Sequence, residues 1–144
     1  MYTPSETIIK KMEELGTEVP LNEYQRERTG VDFELQIGLA DQAKLIRLAL
    51  KEEVPNHPYQ VSVKRYAGGS SVRGKLKNPR VSQTTAEIDL VVDIENFFQQ
   101  QELIREVGGD PDGRFVSKNH FMNGRKIEFE GGFVFLSISR ISRA

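Results

Sequence analysis

The chain has 144 residues, enough for one packed domain, and its 20 Lys and Arg against 21 Asp and Glu leave a formal net charge of −1. It is no polycation, so affinity for an anion has to come from local segregation of charge. Without cysteine it offers no disulfide, thiol nucleophile or zinc–thiolate site. It also has no apolar run near the ~20 residues of a membrane helix and no signal-peptide order, so a soluble cytoplasmic protein is expected.

Thr3, Pro4 and Glu6 predict a helix start, with Thr3 as cap, Pro4 at the first helical position and Glu6 closing a capping box. Ile8, Ile9, Met12 and Leu15 form an apolar stripe and Gly16 a stop, so residues 1–18 are expected as a short, peripheral helix. Residues 19–29 are polar, with Arg26 and Arg28 interleaved with Glu23 and Glu27, and read as a solvated connector. Residues 31–37 alternate as a strand: Val31, Phe33, Leu35 and Ile37 on one face, Asp32, Glu34 and Gln36 on the other. Gly38 ends it. A helix over 40–53 follows, with Asp41 at its positive end and Ala43, Leu45, Ile46, Ala49 and Leu50 inward. Pro55 and Pro58 stop it.

Residues 59–77 predict a β-hairpin. Tyr59, Val61 and Val63 oppose Gln60, Ser62 and Lys64. After a Gly-Gly-Ser-Ser corner, Val72, Gly74 and Leu76 oppose Arg73, Lys75 and Lys77. No acid occurs between Val54 and Ala86, whereas Lys64, Arg65, Arg73, Lys75, Lys77 and Arg80 do.

Residues 82–108 carry two patterns. Thr84 with Glu87 makes a capping box, and Leu90, Val91, Ile94, Phe97, Phe98 and Ile104 recur at helical spacing. The preferred expectation is a helix from near Thr85 to about Val107. The alternative is a strand over 87–93 followed by a helix from Ile94. Residues 108–113 form a turn cluster and 114–117 a short strand. Residues 126–130 and 133–139, joined by Gly131 and Gly132, are expected as a second hairpin. The sum is a single α+β domain over 1–144, a mostly antiparallel sheet with two to three helices.

The run AKLIRLALKEEVPNHPYQVSVKRYAGGSSV resembles the core of a large polyvalent protein-associated domain, and FVFLSISRIS resembles that family's closing strand, with Arg140 and Ser142. The resemblance covers about residues 40–72 and the last dozen. The chain departs from the pattern where no tryptophan follows the second strand and where 80–120 is longer than the family's connection. It implies a phage or conjugative-element protein that meets host defence systems.

The candidate surface is the hairpin. Lys64, Arg65, Arg73 and Lys75 are expected to pair with phosphates or carboxylates, with Arg140 contributing. Tyr59 and Tyr66, which flank the strand, would stack on bases. Gly68, Gly69, Ser70 and Ser71 form either an anion-binding nest with hydroxyl donors or an ordinary tight turn, which is preferred. A solvated or edge-protecting face is the plainer account of the charge. His57 and His120 read as loop residues, not metal ligands. Asp110 and Asp112 read as a turn, because Phe121 stands where an EF-hand loop needs a carboxylate. Glu87, Asp89, Asp93 and Glu95 read as a solvated acidic face, or as a docking patch for a second copy. Phe97 and Phe98 read as core.

No nucleophile–base pair, metal cluster or cofactor fingerprint emerges, so no cofactor is expected. The expectation is a non-enzymatic binding module for nucleic acid or an acidic host defence protein. Two alternatives stay open: a protein that sequesters a nucleotide signal, and a protein–protein inhibitor or homo-oligomeric assembly subunit.

Overall fold

In a computed structural model, residues 1–104 and 113–140 are described. The expected turn at 108–112, with Asp110 and Asp112, and Ser142 lie outside them. The fold is α+β, with four helices and nine strands among the described residues.

The first helix, α1 (Glu6–Leu15), starts two residues later than Thr3 would set it. Ser5 is its cap, accepting from the Ile8 amide at 3.2 Å. Tyr2 is buried against Phe97 and Phe98, and the residues before α1 are not helical. Ile8 and Met12 are fully buried, so α1 belongs to the core. The expected connector is ordered structure instead: β1 (Thr17–Pro20) and α2 (Glu23–Thr29). An Asn22–Gln25 capping box starts α2, an Asn-x-x-Gln signal that polarity obscured.

Strand β2 (Phe33–Ile37) buries Leu35 and Ile37 as expected, but it also buries Glu34 and exposes Phe33. Helix α3 (Leu39–Glu53) buries Ala43, Leu45, Ile46, Ala49 and Leu50. Each large aliphatic side chain there contributes about 1.5–3 kcal/mol. The hairpin forms as β3 (Tyr59–Tyr66) and β4 (Gly69–Leu76).

Helix α4 (Thr85–Phe98) resolves the ambiguous segment. Both capping-box hydrogen bonds form, and Ile88, Val91, Ile94 and Phe98 are buried at helical spacing. No strand forms over 87–93. The helix nevertheless stops at Phe98, and Ile104 ends β5 (Gln101–Ile104). The break falls where glutamine side chains bond to neighbouring backbone. Gln100 accepts from Phe129 N and donates to Lys118 O, and Gln99 accepts from Val134 N.

The remaining strands are β6 (Arg114–Ser117), β7 (His120–Met122), β8 (Arg125–Phe129) and β9 (Phe133–Leu136). They do not make the expected second hairpin. One sheet runs β1-β2-β8-β7, a second β3-β4-β9, and β5 pairs with β6. Thus β8 lies parallel to β2, and β9 parallel to β4. The hairpin partner of β8 is β7, across Asn123–Gly124, both at positive φ. Gly131 and Gly132 instead carry the chain from one sheet to the other. Buried Gln42 bonds to both backbone groups of Gly131, and Gly132 N donates to Ser70 O. One contiguous core joins α1, α3 and α4 to the inward faces of β2, β3, β4, β8 and β9.

Candidate functional site

The register of β3 and β4 sorts the predicted residues. Val63 pairs with Val72, Lys64 with Ser71, and Tyr66 with Gly69. Because side chains alternate along a strand, one face carries Gln60, Ser62, Lys64, Tyr66, Arg73 and Lys75, while the other carries Tyr59, Val61, Val72 and Leu76. The latter face is buried on the core. The former bears no helix and is exposed, except at Ser71.

Three predicted residues fall away from this open face. Arg65 points to the opposite side, where its guanidinium pairs with Glu130 at 2.9 Å. The second Glu130 oxygen accepts from Leu39 N, capping α3 at a position where Gly38 has no side chain to do so. Tyr59 is buried, donates to Ser137 O at 2.7 Å and accepts from Gln83, so it cannot stack on a ligand. Ser70 is buried, and its hydroxyl donates to Glu130 O. Arg140 is exposed beyond β9, next to Ser139, which bonds to Gln83 and Pro79 at the end of the sheet remote from the turn.

The Gly-Gly-Ser-Ser corner forms a tight hairpin turn. The turn is Ala67–Gly68, and only Gly68 adopts positive φ, at 87°. Gly69, Ser70 and Ser71 already belong to β4, paired with Tyr66, Arg65 and Lys64. Ser71 sits on the open face yet is fully buried, and its hydroxyl has no hydrogen-bond partner among the described residues.

What the sheet adds is aromatic. Because β9 lies beside β4 with Phe133 opposite Ser71 and Phe135 opposite Arg73, both phenyl rings join the basic face. Their planes lie within 13° of parallel, with centroids 6.2 Å apart. Phe115 from β6 meets Phe133 edge-on at 5.1 Å, and the Arg73 guanidinium lies 5.7 Å from the Phe135 centroid. Phe115, Phe135 and Tyr66 are 55%, 50% and 43% exposed, which marks them as surface rings rather than core. Lys64, Arg73 and Lys75 form no ion pair with any described residue. Two clefts flank the Phe133–Phe135 pair. One, of about 440 Å³, is lined by Tyr66, Phe115 and Phe133, and the other, of about 470 Å³, by Arg73, Lys75, Phe135 and Glu95. Phe133 and Phe135 alternate with buried Val134 and Leu136 in the sequence, which was the available signal. Phe115 and Glu95 had none.

The acidic segment is not one solvated face. Glu87 caps α4 and lies 2.9 Å from Nε2 of buried His57. Its carboxyl is held below the usual range, first by the Thr84 backbone hydrogen bond and also by His57. Asp93 meets the terminal amine. Glu95 is half-buried and accepts from Leu136 N at 2.8 Å; burial pushes its carboxyl up. His120 is a strand residue, edge-on to Phe97 at 4.5 Å, and burial, with Lys118, holds its imidazole below the usual value. On the first sheet, Lys126 bridges Glu34 and Glu128 at 3.2 and 3.4 Å. Burial pulls the Glu34 carboxyl up, but hydrogen bonds from Glu128, Gln36 and Lys126 outweigh it and hold it low. Glu128 is raised by that shared hydrogen bond.

No protein-family model, curated protein or solved structure matches the chain. Among the described residues no group of three or more acidic or imidazole side chains converges as a metal site, and no helix is long and apolar enough to cross a membrane.

Proposed function

We propose that this chain is a non-enzymatic, cytoplasmic binding module for single-stranded nucleic acid, held on the open face of β3, β4 and β9. The observation that carries the reading is the joining of solvent-accessible aromatic rings, on one side of the sheet, to cations that no described residue pairs. Phe133, Phe135, Phe115 and Tyr66 sit among Lys64, Arg73 and Lys75. Single strands are held in this way, with bases stacked on rings and phosphates met by cations. Duplex DNA hides its base faces, so it would use the cations but leave the rings idle. Arg140, at the far end, would extend the track. The AKLIRLALK…GGSSV pattern supports placing such a module in a mobile-element protein that meets host defence.

The test is fluorescence anisotropy with labelled single-stranded DNA, single-stranded RNA and duplex DNA across a salt series. Wild type, Phe135→Ala and the double variant Arg73→Glu/Lys75→Glu are compared. The expected result is single strands bound more tightly than duplex, with both variants weakened while remaining folded. Absence of binding at low salt, or variants that bind as well as wild type, would overturn the reading. The DNA and RNA arms decide which single strand is preferred.

A further inference from the structure

We infer that Glu95 reads the edge of a base lodged beside Phe135, selecting bases that carry an exocyclic amine over thymine or uracil. The inference rests on the single-strand reading above and names what that surface selects. The cleft of about 470 Å³ is lined by Gly74, Leu136, Phe135 and Ser137, with Arg73 and Lys75 as its cations. Ligand clefts span roughly 300–1,000 Å³, so this one has room for one nucleotide.

Glu95 is its one carboxylate, and it comes from α4, off the sheet. One of its oxygens accepts from Leu136 N, which fixes the side chain at the cleft. No described residue donates to the other oxygen, and neither Arg73 nor Lys75 is within ion-pair distance. The result is a half-buried acceptor without a donor beside an exposed ring flanked by a cation. A base stacked on Phe135 with its edge in the cleft presents that edge to Glu95. Cytosine N4 and adenine N6 donate there, whereas thymine and uracil carry O4 at the corresponding position, acceptor against acceptor, with their own N3–H donor one position further along the edge. A site that demands a donor discriminates strongly, because the mismatched base leaves a desolvated oxygen unpaired. Arg73 and Lys75 are placed to take the flanking phosphates.

The experiment measures anisotropy for oligo(dC), oligo(dT) and an oligo(dC) bearing N4,N4-dimethylcytosine, with wild type and Glu95→Gln. Wild type should bind oligo(dC) about tenfold more tightly than oligo(dT), and dimethylation should abolish that preference. Glu95→Gln keeps an oxygen for Leu136 N but turns an amide donor toward the cleft, so the preference should reverse. The dimethylated ligand tests the idea on wild type, whatever the variant's stability. Equal binding of all three oligonucleotides by wild type would overturn the role of Glu95 and leave the single-strand reading standing. Binding to none of them would overturn both.

Discussion

Gln42 and Gly131 exchange two hydrogen bonds across 89 positions of sequence: Gly131 N donates to Oε1 at 2.6 Å, and Nε2 donates to Gly131 O at 3.0 Å. The same Nε2 donates to Phe98 O at 2.7 Å. One fully buried carboxamide therefore joins α3, the end of α4 and the crossover from β8 to β9. That crossover brings Phe133 and Phe135 beside Arg73, so the candidate surface depends on it.

Gln42→Ala should destabilise the fold by about 3 kcal/mol or more, since it leaves buried backbone groups unpaired at about 1–3 kcal/mol each. Gly131→Ala should also destabilise, because a methyl there would overlap the Gln42 carboxamide. Urea unfolding of both singles and the double variant should show strong non-additivity, the double losing much less than the summed singles. Additive losses would mean that the two residues act independently.

Charge and stacking should separate in the salt dependence of binding. Arg73→Gln and Lys75→Gln should each lower the log–log salt slope by about 0.7, the counterion release per single-strand phosphate contact. Phe135→Ala should weaken affinity by about 1–3 kcal/mol at unchanged slope. A slope change in Phe135→Ala would show that the ring acts by placing cations rather than by stacking.

Glu95 and Gln99 cover the free edge of β9, accepting from Leu136 N and Val134 N. Four helical residues rise about 6.0 Å and two strand residues about 6.6 Å, so one face of α4 matches alternate amides of the strand. Gln99→Ala should cost about 1–2 kcal/mol and open the Val134 amide. Hydrogen exchange at that amide should then speed up while amides in α3 remain protected. Unchanged exchange would exclude the edge-covering role.

The pH dependence of Glu95 has a definite sign. Burial raises its folded-state carboxyl above the ordinary value. Its contribution is therefore favourable below the unfolded value of about 4.3 and is lost as pH rises through the folded value. Glu95→Gln, which cannot ionise, should gain in melting temperature relative to wild type as pH is raised from 4 to about 7. A constant difference across that window would show that the carboxyl is not desolvated.

Tyr2 packs edge-on to Phe97 at 5.2 Å, and its buried hydroxyl has no hydrogen-bond partner among the described residues. Burial also raises its pKa, so the hydroxyl is held neutral. Tyr2→Phe keeps the ring contacts and removes an unsatisfied group. It should be neutral or stabilise the fold by up to about 1 kcal/mol in thermal melts. A loss of 1 kcal/mol or more would reveal a partner for the hydroxyl.

Local patterns carried much of this fold in the sequence. The α3 stripe, the β3–β4 hairpin, the Thr84–Glu87 cap and the cationic run from Lys64 to Lys75 each depend on residues within one short stretch of chain. Sequence alone therefore determined an α+β chain with a basic hairpin whose Lys64, Arg73 and Lys75 share a face. Contacts between distant segments decided the rest. Glu130 met Arg65 on the opposite side of the hairpin, Ser137 and Gln83 held Tyr59 in the core, and Gln42 joined α3 to the crossover that carries β9 to β4 instead of back along β8. Tyr59 and Gln42 are buried polar side chains that take partners tens of residues away, because an unpaired one would cost more than local propensity contributes. Periodicity places a side chain on a face; tertiary structure decided what that face would meet, and so set aromatic rings among the cations.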